Sequence, residues 1–310
     1  METILSYLPK SIEQLIKELP SSLISEMEEI RLRVTRPIEI VTNSGAQYLP
    51  YIFQQKDAEQ FLQNLSYSSF YTLEEELKRG FITIEGGHRI GLAGKVILEN
   101  GFVKAIRDIA SFNIRVAREK IGIANSIIPF IYENGWKHTI IIGPPQTGKT
   151  TLLRDLARII STGDEKRGIF PQKVGIVDER SEIAGCVGGV PQLTFGPRVD
   201  VLDACPKVEG MMMMIRSMSP NVLVVDEIGR KEDSEAIMEA VHAGIRLIMT
   251  THGDSLEDIS RRPTLQSIIN QRIFERYIEL SKTHLPGYIQ SIKDENGHDI
   301  RNKVRVSKVW

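Results

Sequence analysis

The chain has 310 residues, with 39 Lys and Arg against 40 Asp and Glu, a formal net charge of −1. At roughly 100–200 residues per domain the length predicts about two domains, and the 41% hydrophobic and 25% charged fractions exclude a disordered or fibrous chain. Balanced charge excludes a global field for nucleic acid or anionic lipid. Cys186 and Cys205 are too few for a disulfide framework, and no run reaches the roughly 18 apolar residues of a membrane span.

Residues 1–28 read as helical, because Leu5, Leu8, Ile12, Leu15, Ile16 and Leu19 recur at three- and four-residue spacing. Pro20 and the pair Ser21 and Ser22 interrupt that pattern and predict a second short helix. The same stretch alternates apolar with polar residues and lacks the apolar core of a secretory signal, so a cytoplasmic location is expected. From Ile30 to Tyr51 the period falls to two: Ile30, Leu32 and Val34 alternate with Arg31, Arg33 and Thr35. With the turn signal Asn43-Ser44-Gly45, this predicts a small antiparallel sheet with an arginine-bearing face. Residues 56–79 return to helical spacing, with Phe61, Leu62, Leu65, Phe70, Leu73 and Leu77 as the buried stripe. Runs at 81–87, 89–96 and 103–106 predict further strands. The first domain is therefore expected to be α+β and to cover residues 1–118, and a helix within 119–137 is expected to lead into the next.

Beyond it, over 119–310, strands are predicted at 139–142, 173–178, 221–226 and 246–251, and helices at 149–161, 208–217, 232–243 and 255–261. Strands alternating with helices predict an α/β domain with a parallel sheet covered on both faces. The tail from Phe274 returns to strand-like runs around Asn296-Gly297, a hairpin signal.

The chemistry concentrates at strand ends. Gly143-Pro144-Pro145-Gln146-Thr147-Gly148-Lys149-Thr150 fits the phosphate-loop pattern, between the apolar run 139–142 and the helical pattern Leu152, Leu153, Leu156. Glycines let successive backbone N–H groups point inward at phosphate oxygens, and the following helix presents its positive end to the same anion. Lys149 is expected to reach the β- and γ-phosphates of ATP, Thr150 to ligate Mg²⁺, and Thr151 to complete the nucleotide-binding set. The run Val222–Val225 delivers Asp226 and Glu227 to the edge of the sheet, where ligands of open α/β sheets bind. Asp226 suits Mg²⁺ and Glu227 suits the orientation and deprotonation of water. A third run ends in Asp178-Glu179-Arg180-Ser181-Glu182, where Glu179 is a candidate for positioning metal or water and Glu182 for a local cap. A fourth ends at Thr250-Thr251-His252-Gly253, whose hydroxyl or imidazole can sense a γ-phosphate. Either pair of ends could equally be ordinary turns. Arg180, Arg216 and Arg230 read as partners of the acidic turns, Met211–Met214 as helix core or a subunit contact, and His242 as structural.

This order of phosphate loop, acidic box, Asp226-Glu227 and Thr250–Gly253 resembles the traffic ATPases of type II and type IV secretion systems. Closer still, Val177–Gly185, Asp203–Lys207, Glu209–Pro220 with its methionine block, and Glu29–Arg33 resemble the family of the stage III sporulation protein AA. The resemblance spans nearly the whole chain. It implies a RecA-like P-loop ATPase core preceded by a smaller α+β domain, working with ATP and Mg²⁺. It also implies a homo-hexameric ring, peripheral at the cytoplasmic side of a membrane-embedded channel complex in the mother cell of a sporulating bacterium. Transition-state charge calls for an arginine, often from a neighbour; Arg89, Arg107 and Arg115 have suitable positions, and the resemblance favours Arg89 and Arg107. Asp226 stands where traffic ATPases commonly have Gly, which leaves the division of work between Glu179 and Glu227 open. A nucleic-acid-dependent ATPase would need a basic groove, for which Arg31, Arg33 and Arg36 are the available cluster. A slow nucleotide switch would not need the second acid.

Overall fold

The computed structural model describes residues 1–66, 76–78, 80–283 and 285–301. The chain divides into two units, one of Met1–Arg118 with Gly185–Leu193, the other of Glu119–Ala184 and the chain from Thr194 onward.

In the first unit, three short helices (Glu2–Tyr7, Lys10–Lys17, Ser21–Glu26) lead into β1 (Met27–Arg33), β2 (Pro37–Thr42) and β3 (Gly45–Ile52). A helix at Gln55–Ser66 then precedes β4 (Phe81–Ile84), β5 (His88–Glu99) and β6 (Phe102–Arg115). The six strands form one antiparallel sheet, ordered β3-β2-β1-β6-β5-β4. Ile30, Leu32, Ile38, Ile40, Phe61 and Phe112 face a single core, where the Phe112 ring meets Phe61 edge-on at 5.1 Å. On the other face of β1, Arg31 pairs with Glu29 at 2.7 Å and Arg33 with Glu39 at 2.5 Å. The arginine-bearing face is thus largely neutralised by its own strands. Phe70 and Leu73, expected in the buried stripe, lie outside the described residues. The excursion Gly185–Leu193 closes on itself through a Val187–Val190 bridge, with Gly188 and Gly189 both at positive φ. The Gly86 amide donates to Gln192 Oε1 at 3.2 Å, within this unit.

The second unit begins with a 3₁₀ turn at Ile123–Ser126 followed by the helix expected within 119–137, a short one at Ile128–Ile131. Then come β7 (Thr139–Ile142), the helix Lys149–Thr162, β8 (Val174–Asp178), β9 (Val199–Asp203) and the helix Lys207–Ser217. β10 (Val222–Val225), the helix Lys231–His242 and β11 (Arg246–Thr251) follow, then helices Leu256–Ser260 and Pro263–Asn270, β12 (Arg276–Leu280) and β13 (Ile289–Asp294). The sheet order is β13-β12-β7-β11-β10-β8-β9. Its pairings are parallel from β12 to β9, and β13 alone runs antiparallel. Every residue of β7, β8 and β10 is buried, as apolar strands covered on both faces require.

The tail carries the chain reversal expected at Asn296-Gly297, where the Gly297 amide donates to the Asp294 carbonyl at 3.0 Å, and β12 pairs antiparallel with β13. β12 also pairs in parallel with β7, and the Asn296-Gly297 turn follows β13, joining Lys293 to Asp299 through a bridge. In the methionine block, Met211 and Met214 enter the core while Met213 stays exposed.

Candidate functional site

β11 lies between β7 and β10, so the carboxyl ends of three neighbouring strands deliver their side chains to one place. From β7 the chain turns through 143–148 into the Lys149–Thr162 helix. Gln146 (φ 65°) and Gly148 (φ 88°) take left-handed conformations there. A Cβ on Gly143 would stand 2.6 Å from Thr147 Oγ1 and 3.2 Å from Leu280 Cβ, so only glycine fits. The loop is braced by Thr147 Oγ1 donating to the Pro144 carbonyl and by the Gly287 amide donating to the Thr147 carbonyl, both at 2.8 Å. The free amides of a fourteen-residue helix open onto it.

Lys149 is buried and donates to the carbonyls of Gly143 (2.8 Å) and Pro144 (2.9 Å). Burial lowers its pKa, with Asp226 and Glu227 acting in opposition. Thr150 Oγ1 donates to Asp226 Oδ2 at 2.6 Å, and Thr250 Oγ1 donates to the other oxygen of the same carboxylate. His252 spans the site: Nδ1 lies 3.2 Å from Lys149 Nζ and Nε2 2.8 Å from Glu227 Oε1. An ammonium has no lone pair and a carboxylate no proton, so Nδ1 accepts and Nε2–H donates. Glu227 itself has φ 56°. Its amide donates to Thr250 Oγ1 at 2.8 Å, and its second oxygen pairs with Arg180 at 2.8 Å.

The acidic turn after β8 is organised by Asp178. This buried carboxylate accepts the amides of Glu182, Ile183 and Ala184, each at 2.9 Å. Burial pushes its pKa up to about 6, against those three donors, and Asp203 adds to the rise. Arg154, one helical turn beyond Thr150, donates to the carbonyls of Ile183 and Glu182 at 2.6 Å each and ties the turn to the phosphate-loop helix. No helix starts at Glu182, so it caps none. Glu179 pairs with Lys207 at 3.0 Å. Pro145, Gln146, Gly148, Lys149, Thr150, Thr151, Glu182, Glu227, His252 and Pro286 line one open depression.

Thus Lys149, Thr150, Asp226, Glu227 and His252 meet directly, with Glu179 joined to them through Lys207. Arg89 and Arg107 belong to the first unit, where Arg89 stacks on the Phe81 ring at 3.6 Å and Arg107 is exposed on β6. Arg115 pairs with Glu29 at 3.4 Å. Arg180 is a partner of an acidic turn as expected, whereas Arg230 donates its amide to Asp233 at the head of its own helix. Sequence reasoning missed Lys207 and Arg154. The i+4 spacing of Arg154 from Thr150 was the one available signal, since it places both on one helix face.

Among the described residues no group of three or more His, Cys, Asp or Glu could hold a metal. The donor set present, one threonine hydroxyl and one carboxylate, suits an ion that takes its remaining ligands from phosphates and water, as Mg²⁺ does. No helix of the described residues is long and apolar enough to cross a membrane.

A glycine-rich strand-to-helix loop opposite strand-end acids, on a mixed α/β fold, defines the class. The fold resembles the ATPase DotB of Legionella pneumophila (TM-score 0.58, 16% identity, 87% of this chain and 76% of that one). It also resembles the pilus retraction motor PilT, solved with ADP (TM-score 0.57, 14% identity, 83% and 75%). Within that class the chain belongs to the family Sporulation stage III, protein AA, whose profile matches residues 1–300. It is 56% identical over 298 residues to the Stage III sporulation protein AA of Bacillus subtilis (strain 168), covering 96% of each. An uncharacterized protein, ycf45 of Cyanidium caldarium, is 34% identical over 164 residues, 52% of this chain and 46% of that one.

Proposed function

We propose that the chain is an ATP-hydrolysing traffic ATPase with a RecA-like core, serving a membrane channel or secretion complex during endospore formation. The observation that carries this reading is the convergence of Thr150 on Asp226 at 2.6 Å with His252 joining Lys149 to Glu227. That arrangement suits phosphoryl transfer, where catalysis is positioning and charge stabilisation.

The amides of 143–150 and the helix end cradle the phosphates, and Lys149 exchanges its loop carbonyls for β- and γ-oxygens. Thr150 and Asp226 would hold Mg²⁺, which would supply charge neutralisation at the phosphates. Glu227 orients the attacking water and accepts its proton, and Glu179 supports it. His252 reports on the state of Glu227 to Lys149. Arg107 or Arg89 comes from a neighbouring copy in a homo-hexameric ring, placed on the cytoplasmic side of the membrane beside its channel proteins. The ion pairs of Arg31 and Arg33 weigh against a nucleic-acid groove.

Calorimetry and a hydrolysis assay on two variants test the reading. Lys149→Ala should remove the heat of Mg-ATP association. Glu227→Gln should keep it and lower turnover by about 10²–10⁴-fold, the usual effect of losing a general base. Absence of any association heat in the wild-type chain overturns the proposal.

A further inference from the structure

Lys207 occupies the first position of the Lys207–Ser217 helix, directly after Pro206, and is buried. Both circumstances oppose a cation there. The helix end carries partial positive charge, and an ammonium taken out of water needs strong partners. Its partners come from two separate strand ends. Nζ pairs with Glu179 Oε2 at 3.0 Å, from the turn after β8. It also donates to the carbonyls of Glu227 at 2.7 Å and Asp226 at 3.5 Å, after β10. Glu227 holds a left-handed backbone that a side chain rarely adopts. Thr250 fixes its amide and Lys207 its carbonyl, so the carboxylate is left facing His252 and Arg180.

We propose that Lys207 is the positioning residue of hydrolysis, a buried ammonium that clamps the Glu179 carboxylate to the Asp226-Glu227 backbone and so keeps both acids in one working arrangement. This rests on the ATPase reading of the same site. Lys207 touches no phosphate in this scheme; it acts through the two glutamates. Its loss therefore affects turnover and spares nucleotide binding, which depends on the loop and Lys149.

The test measures Mg-ATP affinity by calorimetry and steady-state hydrolysis in Lys207→Met, of similar length without charge, and in Lys207→Arg, which keeps the cation. Lys207→Met should lower kcat by about 10–100-fold, the range for groups that orient a site's own ligands, and leave the dissociation constant within about twofold. Lys207→Arg should recover part of the lost kcat. Wild-type kcat in Lys207→Met overturns the inference. So does a loss of affinity in step with turnover in both variants, which makes Lys207 a folding residue. A wild-type chain that binds nucleotide and never hydrolyses it defeats the ATPase reading, and this inference with it, before any variant is made.

Discussion

Two oxygens of Asp178 accept three backbone amides, and that count decides what a substitution there does. An asparagine has one acceptor oxygen, and its NH₂ group would face an amide donor. Asp178→Asn should therefore destabilise the chain at neutral pH by about 1–3 kcal/mol for each amide left unpaired, read as a lower denaturant midpoint. His88 titrates in the first unit. Its Nδ1 accepts the Ala117 amide at 2.9 Å, and burial, with a smaller contribution from the N-terminal charge, lowers its pKa from 6.5 to about 4. A depressed folded pKa means that the unfolded chain binds the proton first between those values. His88 therefore contributes stability above pH 6.5, which is lost as pH falls toward 4. Denaturation midpoints across that window should fall more steeply for the wild type than for His88→Gln; equal slopes would exclude His88 as a source of acid lability.

Gly94 governs the long ribbon of β5 and β6, where the register shifts between Ala93 and Lys95. A Cβ there would lie 2.5 Å from the Arg107 carbonyl oxygen and 2.8 Å from that of Asp108, and backbone cannot swing aside as a side chain end can. Gly94→Ala should cost about 1–3 kcal/mol by overpacking, visible as a lower melting temperature. Gly229→Ala, whose added Cβ meets nothing within 4 Å, should be near neutral. Elements like β7 and β10 were legible because four consecutive apolar residues against a glycine-rich or acidic exit have few alternatives. β9 was not: Val199–Asp203 mixes Val and Leu with two Asp in no clean period, and none of its residues is fully buried. The turn at Asn296-Gly297 was legible because it is local, whereas the parallel pairing of β12 with β7 was not, because β7 lies more than 130 residues earlier in the chain. The cluster of Lys149, Thr150, Asp226, Glu227 and His252 could be anticipated since each sits at the exit of a readable strand. Lys207 could not, because its partners Glu179 and Glu227 lie on different strand exits and only the folded sheet brings them together.

At the scale of the whole molecule, the likeness to DotB and PilT at 16% and 14% identity concerns the fold, and assembly rests on the proposed mechanism. The site in the second unit has a lysine, a hydrogen-bonded threonine–carboxylate pair and two glutamates, and in the proposed mechanism the arginine needed for transition-state charge comes from another copy. Arg107 is the better of the two candidates because its side chain is exposed, whereas Arg89 is half-buried and stacked on Phe81. A shared site makes a prediction that a self-contained one does not. Lys149→Ala and Arg107→Ala should each be inactive alone. Mixed, they should regain part of the wild-type hydrolysis, because an intact loop in the Arg107→Ala copy can face an intact Arg107 in the Lys149→Ala copy. The regained rate should rise with total protein concentration as mixed rings form. Light scattering beside the assay should show the mass of a ring in the presence of ATP. A mixture no more active than its components, at concentrations where scattering shows assembly, would remove Arg107 from the site. A strictly monomeric mass under all nucleotide conditions would remove the ring.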